Sequence, residues 1–330
     1  MEVHIPHVPP LVVVLAVAVL APLLGELTRR IGLSVVVLEL LLGVAIGPNG
    51  LGWAAPEGGV PYFAIMGLAF LFFIAGLEID LEAISGKPLN FAIFGWLIVF
   101  ALSCAAAIGL RAAGLVDAWL IVAIALSTTA LGVLVPILRD SGALEQPFGR
   151  YVMAAGAVGE LGPILVMSLA LSKQHTVTGQ TAFTMLFIAI VLVAAWLLVQ
   201  GGSMPRVLGI LRRTMTQSSQ LPVRTIMLVV TALGLLAHVL GLDLVLGALA
   251  AGMIIRLATR GLDAHVLHAK IDAIGFGFLV PVFIVTAGMR LDVNAIFGST
   301  AGLALMVLFF VALPLVRVPL ALLCAGQLGA

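Results

Sequence analysis

What this sequence lacks most is charge. Lysine, arginine, aspartate and glutamate make up 9% of its 330 residues, where a soluble globular domain carries about 25%. With 62% hydrophobic residues and a mean hydropathy of +1.26, a water-soluble fold is excluded. A surplus of one sign is missing too: the formal net charge of +1 leaves no basic stripe to neutralise phosphates, which excludes nucleic acid as a partner. Cysteine is scarce, and Cys104 and Cys324 both lie in apolar runs with neither disulfide nor metal spacing. Period-two alternation is absent, which excludes a membrane barrel. No Walker A glycine loop, HExxH, GxSxG or CxxC occurs, so nucleotide hydrolysis and covalent chemistry have no residues to carry them. The chain therefore reads as a non-enzyme with no cofactor. Its opening, MEVHIPHVPP, lacks the basic n-region and small-residue cleavage site of a signal peptide, so the first apolar span is expected to stay in the mature chain.

What is present is a series of apolar runs of about 17 to 25 residues, the length of a bilayer-spanning helix. The pattern predicts an all-α polytopic membrane protein of about eleven transmembrane helices, near 9–27, 33–47, 61–78, 89–110, 117–138, 148–171, 182–201, 222–241, 242–258, 273–289 and 301–326. Twelve basic residues fall in odd-numbered loops: Arg29, Arg30, Lys87, Arg139, Arg150, Arg206, Arg212, Arg213, Arg224, Arg256, Arg260 and Lys270. Three fall in even-numbered ones: Arg111, Lys173 and Arg290. The positive-inside rule then puts the odd loops and the C-terminus in the cytoplasm and the N-terminus outside, in a cell (inner or plasma) membrane. The longest polar connection, 206–224, reads as a cytoplasmic linker or, alternatively, as a lipid-binding patch.

The fifth and sixth spans carry the chemistry. The fifth is interrupted by Ser127, Thr128, Thr129, Gly132 and Pro136, and the sixth has one carboxylate, Glu160, in the middle of an apolar run. A charged side chain at a helix centre costs roughly 2.5–3.5 kcal/mol on insertion scales, so an intramembrane glutamate marks a functional site. Pro136 removes the donor that would serve the carbonyl of Gly132, and Pro163 does the same to Gly159, directly beside Glu160. Freed carbonyls at membrane depth must be received by protein or by a wet cavity. They are also the groups that replace water around a small cation. The competing reading of Glu160 is a protonated core carboxyl bonded to a neighbouring span.

An internal repeat is visible. AGLEIDLEAI at 75–84 and AGMRLDVNAI at 287–296 share Ala, Gly, Asp, Ala and Ile at a constant offset of 212, and ELLLGVAI at 39–46 resembles ALAAGMII at 248–255, with Gly43 answering Gly252. Spans three and ten are an odd number apart, so the copies enter the bilayer from opposite sides, the inverted repeat of many secondary transporters. The first copy runs from about 31 to 171 and the second from about 242 to 330, joined through a linker at 203–221. The second copy has two spans fewer, on the order of 50 residues. The expectation is either a chain cut short or an unusually short natural one.

With ELLLGVAIGPNGLG (39–52), LFFIAGLEIDL (71–81), ALSTTALGVLVPILRDSGALEQPFG (125–149), LGALAAGMII (246–255) and LVPVFIVTAGMRLD (279–292) in view, the chain resembles the monovalent cation:proton antiporter superfamily, in the branch of Kef-type potassium efflux systems and bacterial Na+/H+ exchangers. The resemblance implies one exchanger-like transmembrane domain over 1–330, a core with a discontinuous crossed helix that moves like an elevator, and a homodimer in the lipid bilayer. It implies that Ser127, Thr128 and Thr129 mark the unwound stretch and that Glu160 binds the cation, Na+ or K+, in competition with H+. The family carries Asp there, after Asn, Asp or Gln; here the pair is Gly159 and Glu160. Arg317 falls where relatives place an embedded Lys or Arg, and Arg goes with electroneutral exchange. An arginine cannot deprotonate in proteins and so carries no second proton. Its alternative is a snorkelling side chain.

Among the other polar residues, Glu39 reads as a packing or bridging group, Glu78 and Asp80 as solvated or paired with Lys87, His238 as a core histidine and Asn49 as a turn residue. The leading expectation is electroneutral cation/proton antiport around Glu160, with Arg317 balancing its charge. The competing ones are a truncated, non-transporting membrane component and a channel or symporter on the same scaffold.

Overall fold

A computed structural model describes residues 9–27, 34–79, 86–130, 134, 138, 146–170, 177–200, 214, 219–259 and 265–328. These are helical, with no strand among the described residues. In chain order the helices are α1 (Pro10–Leu27), α2 (Val35–Ile46), α3 (Val60–Glu78), α4 (Lys87–Ala112), α5 (Trp119–Ser127), α6 (Pro147–Ala170), α7 (Val177–Gln200), α8 (Leu221–Val239) and α9 (Leu244–Ala258). Then come α10 (His265–Ile274), a π turn (Gly275–Leu279), α11 (Val280–Met289), the short α12 (Val293–Phe297) and α13 (Thr300–Leu328). Six helical stretches among the described residues are long and apolar enough to cross a bilayer, and four more are apolar but shorter. The chain is a multi-pass membrane protein.

The tenth span is longer than its apolar run. A hydropathy reading starts it near 273, but the helix begins at His265 and continues through the π turn to Met289. The first turns, HVLHAKIDAI, are too polar to register as a span yet keep one buried face, through Leu267 and Ile271.

The chain folds as two compact units, one within residues 1–71 and 263–302, the other within 72–262 and 303–330. In the first, α1, α2 and α11 pack around Val14, Val17, Ile46, Val282, Val285 and Met289, and Phe63 meets Phe278 edge to face at 5.4 Å between centroids. The helices approach closely because their contact points are glycines. A Cβ built on Gly43 would lie 2.2 Å from the Val285 carbonyl oxygen, and one on Gly288 would lie 2.2 Å from that of Leu40. Asn49, in the turn after α2, also donates from Nδ2 to the carbonyl of Leu291 at 3.2 Å.

In the second unit, α4, α5 and α6 pack together, and α9 packs on α8 and α7. A core of Ala75, Ile79, Ala92, Leu138, Met153, Ala154, Ala157 and Leu249 joins the end of α3 to α6 and α9. Here the close contact is again glycine on backbone: a Cβ on Gly76 would stand 2.2 Å from the Leu249 oxygen, and one on Gly252 would stand 2.1 Å from that of Phe73. Val285 and Gly288 lie 212 positions after Phe73 and Gly76, and Leu249 and Gly252 lie 209 after Leu40 and Gly43. The same four-point contact is thus made twice, between helices whose residues match at these offsets.

His238 departs from expectation. It faces outward in the last turn of α8, because the helix stops at Val239 and the chain reverses through Gly241, whose φ of 71° suits glycine. Asp80, Gly132, Pro136 and most of the 203–221 linker lie outside the described residues.

Candidate functional site

The broken stretch forms where the sequence places serine and threonine in a helix. α5 ends at Ser127, and Thr128 leaves it in extended conformation, φ −76° and ψ 139°. The Ser127 and Thr128 hydroxyls both donate back to the carbonyl of Ile124, each at 2.9 Å, offering the chain an alternative to the next helical hydrogen bond. Ser127 is 1% exposed, while Thr128 is open and Thr129 half-buried.

The sixth span supplies the other half. Pro163 sits inside α6 and has no N–H, so the carbonyl of Gly159 lacks its helical donor. The N–H of Thr129 fills that vacancy, donating to the Gly159 oxygen at 2.9 Å. Glycine is required there, since a Cβ on Gly159 would lie 2.7 Å from Thr129 Oγ1 and 2.9 Å from its Cβ. The unwound segment is therefore pinned one residue from Glu160, which is 8% exposed in the middle of α6. On the same helix Gly162 receives the face of Trp96 from α4, and Trp96 stacks on Phe100 at 5.2 Å.

Arg317 comes to this place from α13. It is half-buried, and its Nη2 donates to the carbonyl oxygen of Thr128. A guanidinium beside the C-terminal end of a half-helix sits where the aligned peptide dipoles are negative. Ser127, Thr128, Thr129, Glu160 and Arg317, named separately from the sequence, thus fall within one unit, on α6, α13 and the end of α5 with the segment that follows it, linked by two hydrogen bonds.

Other polar residues singled out from the sequence lie on other helices. Glu39 is 4% exposed on the face of α2 that carries Gly43 and Ile46, within the other unit. Glu78 ends α3 half-buried, and beside it the Leu77 carbonyl accepts from Arg256 Nη1 at 2.7 Å. Arg256, a loop charge by the basic-residue pattern, lies in the last turn of α9 and closes the end of α3. Its place three positions before Thr259, the cap of that helix, is the signal that could have found it. Among the described residues no group of three or more His, Cys, Asp or Glu assembles, so the polar ligands on offer are one carboxylate, hydroxyls and backbone oxygens. Such oxygens suit a small hard cation stripped of water.

Comparison with known proteins agrees with this chemistry. Residues 15–329 match the family described as sodium/hydrogen exchanger, transmembrane. YjbQ of Bacillus subtilis, named provisionally as a Na(+)/H(+) antiporter, is 28% identical over 92% of this chain and 50% of its own length. The chain thus spans half of that relative. The Na(+)/H(+) antiporter of Enterococcus hirae is 27% identical over 96% of this chain and 80% of its own. The Na(+)/H(+)-K(+) antiporter GerN of Bacillus cereus is 25% identical over 83% and 70%. A match that covers nearly the whole chain, on a helical membrane fold with a broken helix beside a buried carboxylate, places this chain in the sodium/hydrogen exchanger transmembrane family.

Proposed function

We propose that this chain exchanges a monovalent cation, Na+ or K+, for H+ across a cell membrane, and that Glu160 holds either the proton or the cation but never both. The observation that carries the reading is the hydrogen bond from Thr129 N–H to the Gly159 carbonyl, which sets an unwound, oxygen-rich segment beside a buried carboxyl in a helix made for it by Pro163. Competition at one group gives obligatory exchange. Arg317 stays charged at every relevant pH, so it balances ionised Glu160 and carries no proton of its own, which makes turnover one for one and electroneutral. The names of the relatives support Na+ and H+ as substrates, and one of them adds K+.

In this reading the chain is one transmembrane domain of two inverted copies, N-terminus outside and C-terminus cytoplasmic. It works as a homodimer whose broken-helix core moves as a rigid body. Everted vesicles acidified by respiration test it. Adding NaCl or KCl collapses ΔpH with the wild-type chain, whereas Glu160→Gln abolishes the response; equal rates for both overturn the assignment.

A further inference from the structure

The peptide unit between Thr128 and Thr129 is held at both ends. Its N–H donates to the Gly159 carbonyl at 2.9 Å, and its C=O accepts from Arg317 Nη2. In a trans peptide these two groups point in opposite directions. With the N–H turned toward the Glu160 helix, the Thr128 oxygen is turned away from it. An arginine never gives up its charge or its donors, so the clamp holds whatever the pH.

From this clamp we infer that Arg317 is a specificity-determining residue: by holding the Thr128 carbonyl it withholds one backbone oxygen from the cation's shell and favours Na+ over K+. The inference rests on the antiport reading above and names the substrate of that site. Selectivity among monovalent cations follows the number and field strength of the oxygens that replace water. The larger ion needs more of them. With the Thr128 oxygen engaged elsewhere, the shell draws on the Glu160 carboxyl, water and the Thr129 hydroxyl, which has no hydrogen-bond partner among the described residues. Such a short set suits the smaller ion. Without the guanidinium the 128–129 peptide is held at one end only, and turning its oxygen into the shell costs just the neutral Thr129 N–H bond to Gly159.

The experiment compares half-saturating Na+ and K+ concentrations for ΔpH collapse in vesicles holding the wild-type chain, Arg317→Met, Arg317→Gln or Glu160→Gln. Losing the positive charge acts on both ions alike, so the K+ to Na+ ratio reports the oxygen count and not the field. The wild type is expected to prefer Na+, and both neutral variants are expected to narrow the ratio about tenfold through a gain for K+, the size of one hydrogen bond to a charged group. Equal half-saturation by the two ions in the wild type, which needs no variant to fold, overturns the inference. So does an unchanged ratio in either variant that reaches the membrane. A Glu160→Gln chain that still exchanges defeats the antiport reading itself, whereas a dead Glu160→Gln beside an unchanged ratio defeats only the role of Arg317.

Discussion

The contact of α2 with α11 and the contact of the α3 end with α9 are built from residues that match at offsets of 209 and 212, yet they finish differently. Both use a pair of glycines to bring backbones within van der Waals reach, Gly43 with Gly288 in one and Gly76 with Gly252 in the other. One turn further on, the first contact ends in Gly47, whose Cβ would lie 2.8 Å from the Met289 Cα. At the matching place the second has Arg256, bonded to the carbonyl of Leu77. Where backbones touch there is no room for a side chain, and each of these points is a glycine. Where they part, one copy stays bare and the other carries a charge that satisfies an orphan helix-end carbonyl.

The largest effect expected from breaking this comparison is at the glycines. Gly43→Ala and Gly252→Ala each drive a methyl onto a backbone oxygen that cannot swing aside, and both should lower stability by about 3 kcal/mol or more. Thermal unfolding in detergent measures it, and equal losses in the two variants would show that the contacts are energetic equivalents. Next comes Gly159→Ala, whose methyl meets Thr129 and pushes its amide off the Gly159 oxygen. Exchange should fall by at least tenfold while the melting temperature drops less than for Gly43→Ala, read from vesicle ΔpH and thermal unfolding on one preparation. Arg256→Met tests the divergent end. It removes the charged hydrogen bond to Leu77 among its contacts, about 1.5–3 kcal/mol for that bond, and its unfolding curve should lie between those of Gly43→Ala and the wild type. The smallest change is Gly109→Ala on α4, where nothing stands within 4 Å of the added methyl. Stability should stay within about 0.5 kcal/mol of wild type or rise slightly.

Much of this arrangement was legible in the sequence. The length of the apolar runs placed most of the helices to within a few residues, because the bilayer leaves no other way to satisfy a backbone, but it missed the early start of the tenth at His265 and the end of α5 at Ser127. The cluster from Ser127 to Thr129 marked the end of α5, and Pro163 identified the carbonyl of Gly159 as needing a donor. What could not be read was which group answers. Thr129 and Gly159 lie on different spans, and no local pattern pairs an amide on one with a carbonyl on the other. Arg317 was readable as a charge in an apolar run, but not as a ligand of the Thr128 oxygen. The π turn at Gly275–Leu279 was equally silent, since i+5 bonding leaves no compositional trace and its counterpart in the first copy, 63–67, is ordinary α-helix.

Proline is usually counted as a flaw in a helix. Here the missing hydrogen of Pro163 opens a berth that a distant segment moors in, so curing the flaw would harm the protein. Any residue with an amide at that position would mend α6, evict Thr129 and set the unwound segment adrift from its acid. A gain in local regularity at position 163 is a loss of work, and sequences that keep this proline are keeping a knot tied on another helix.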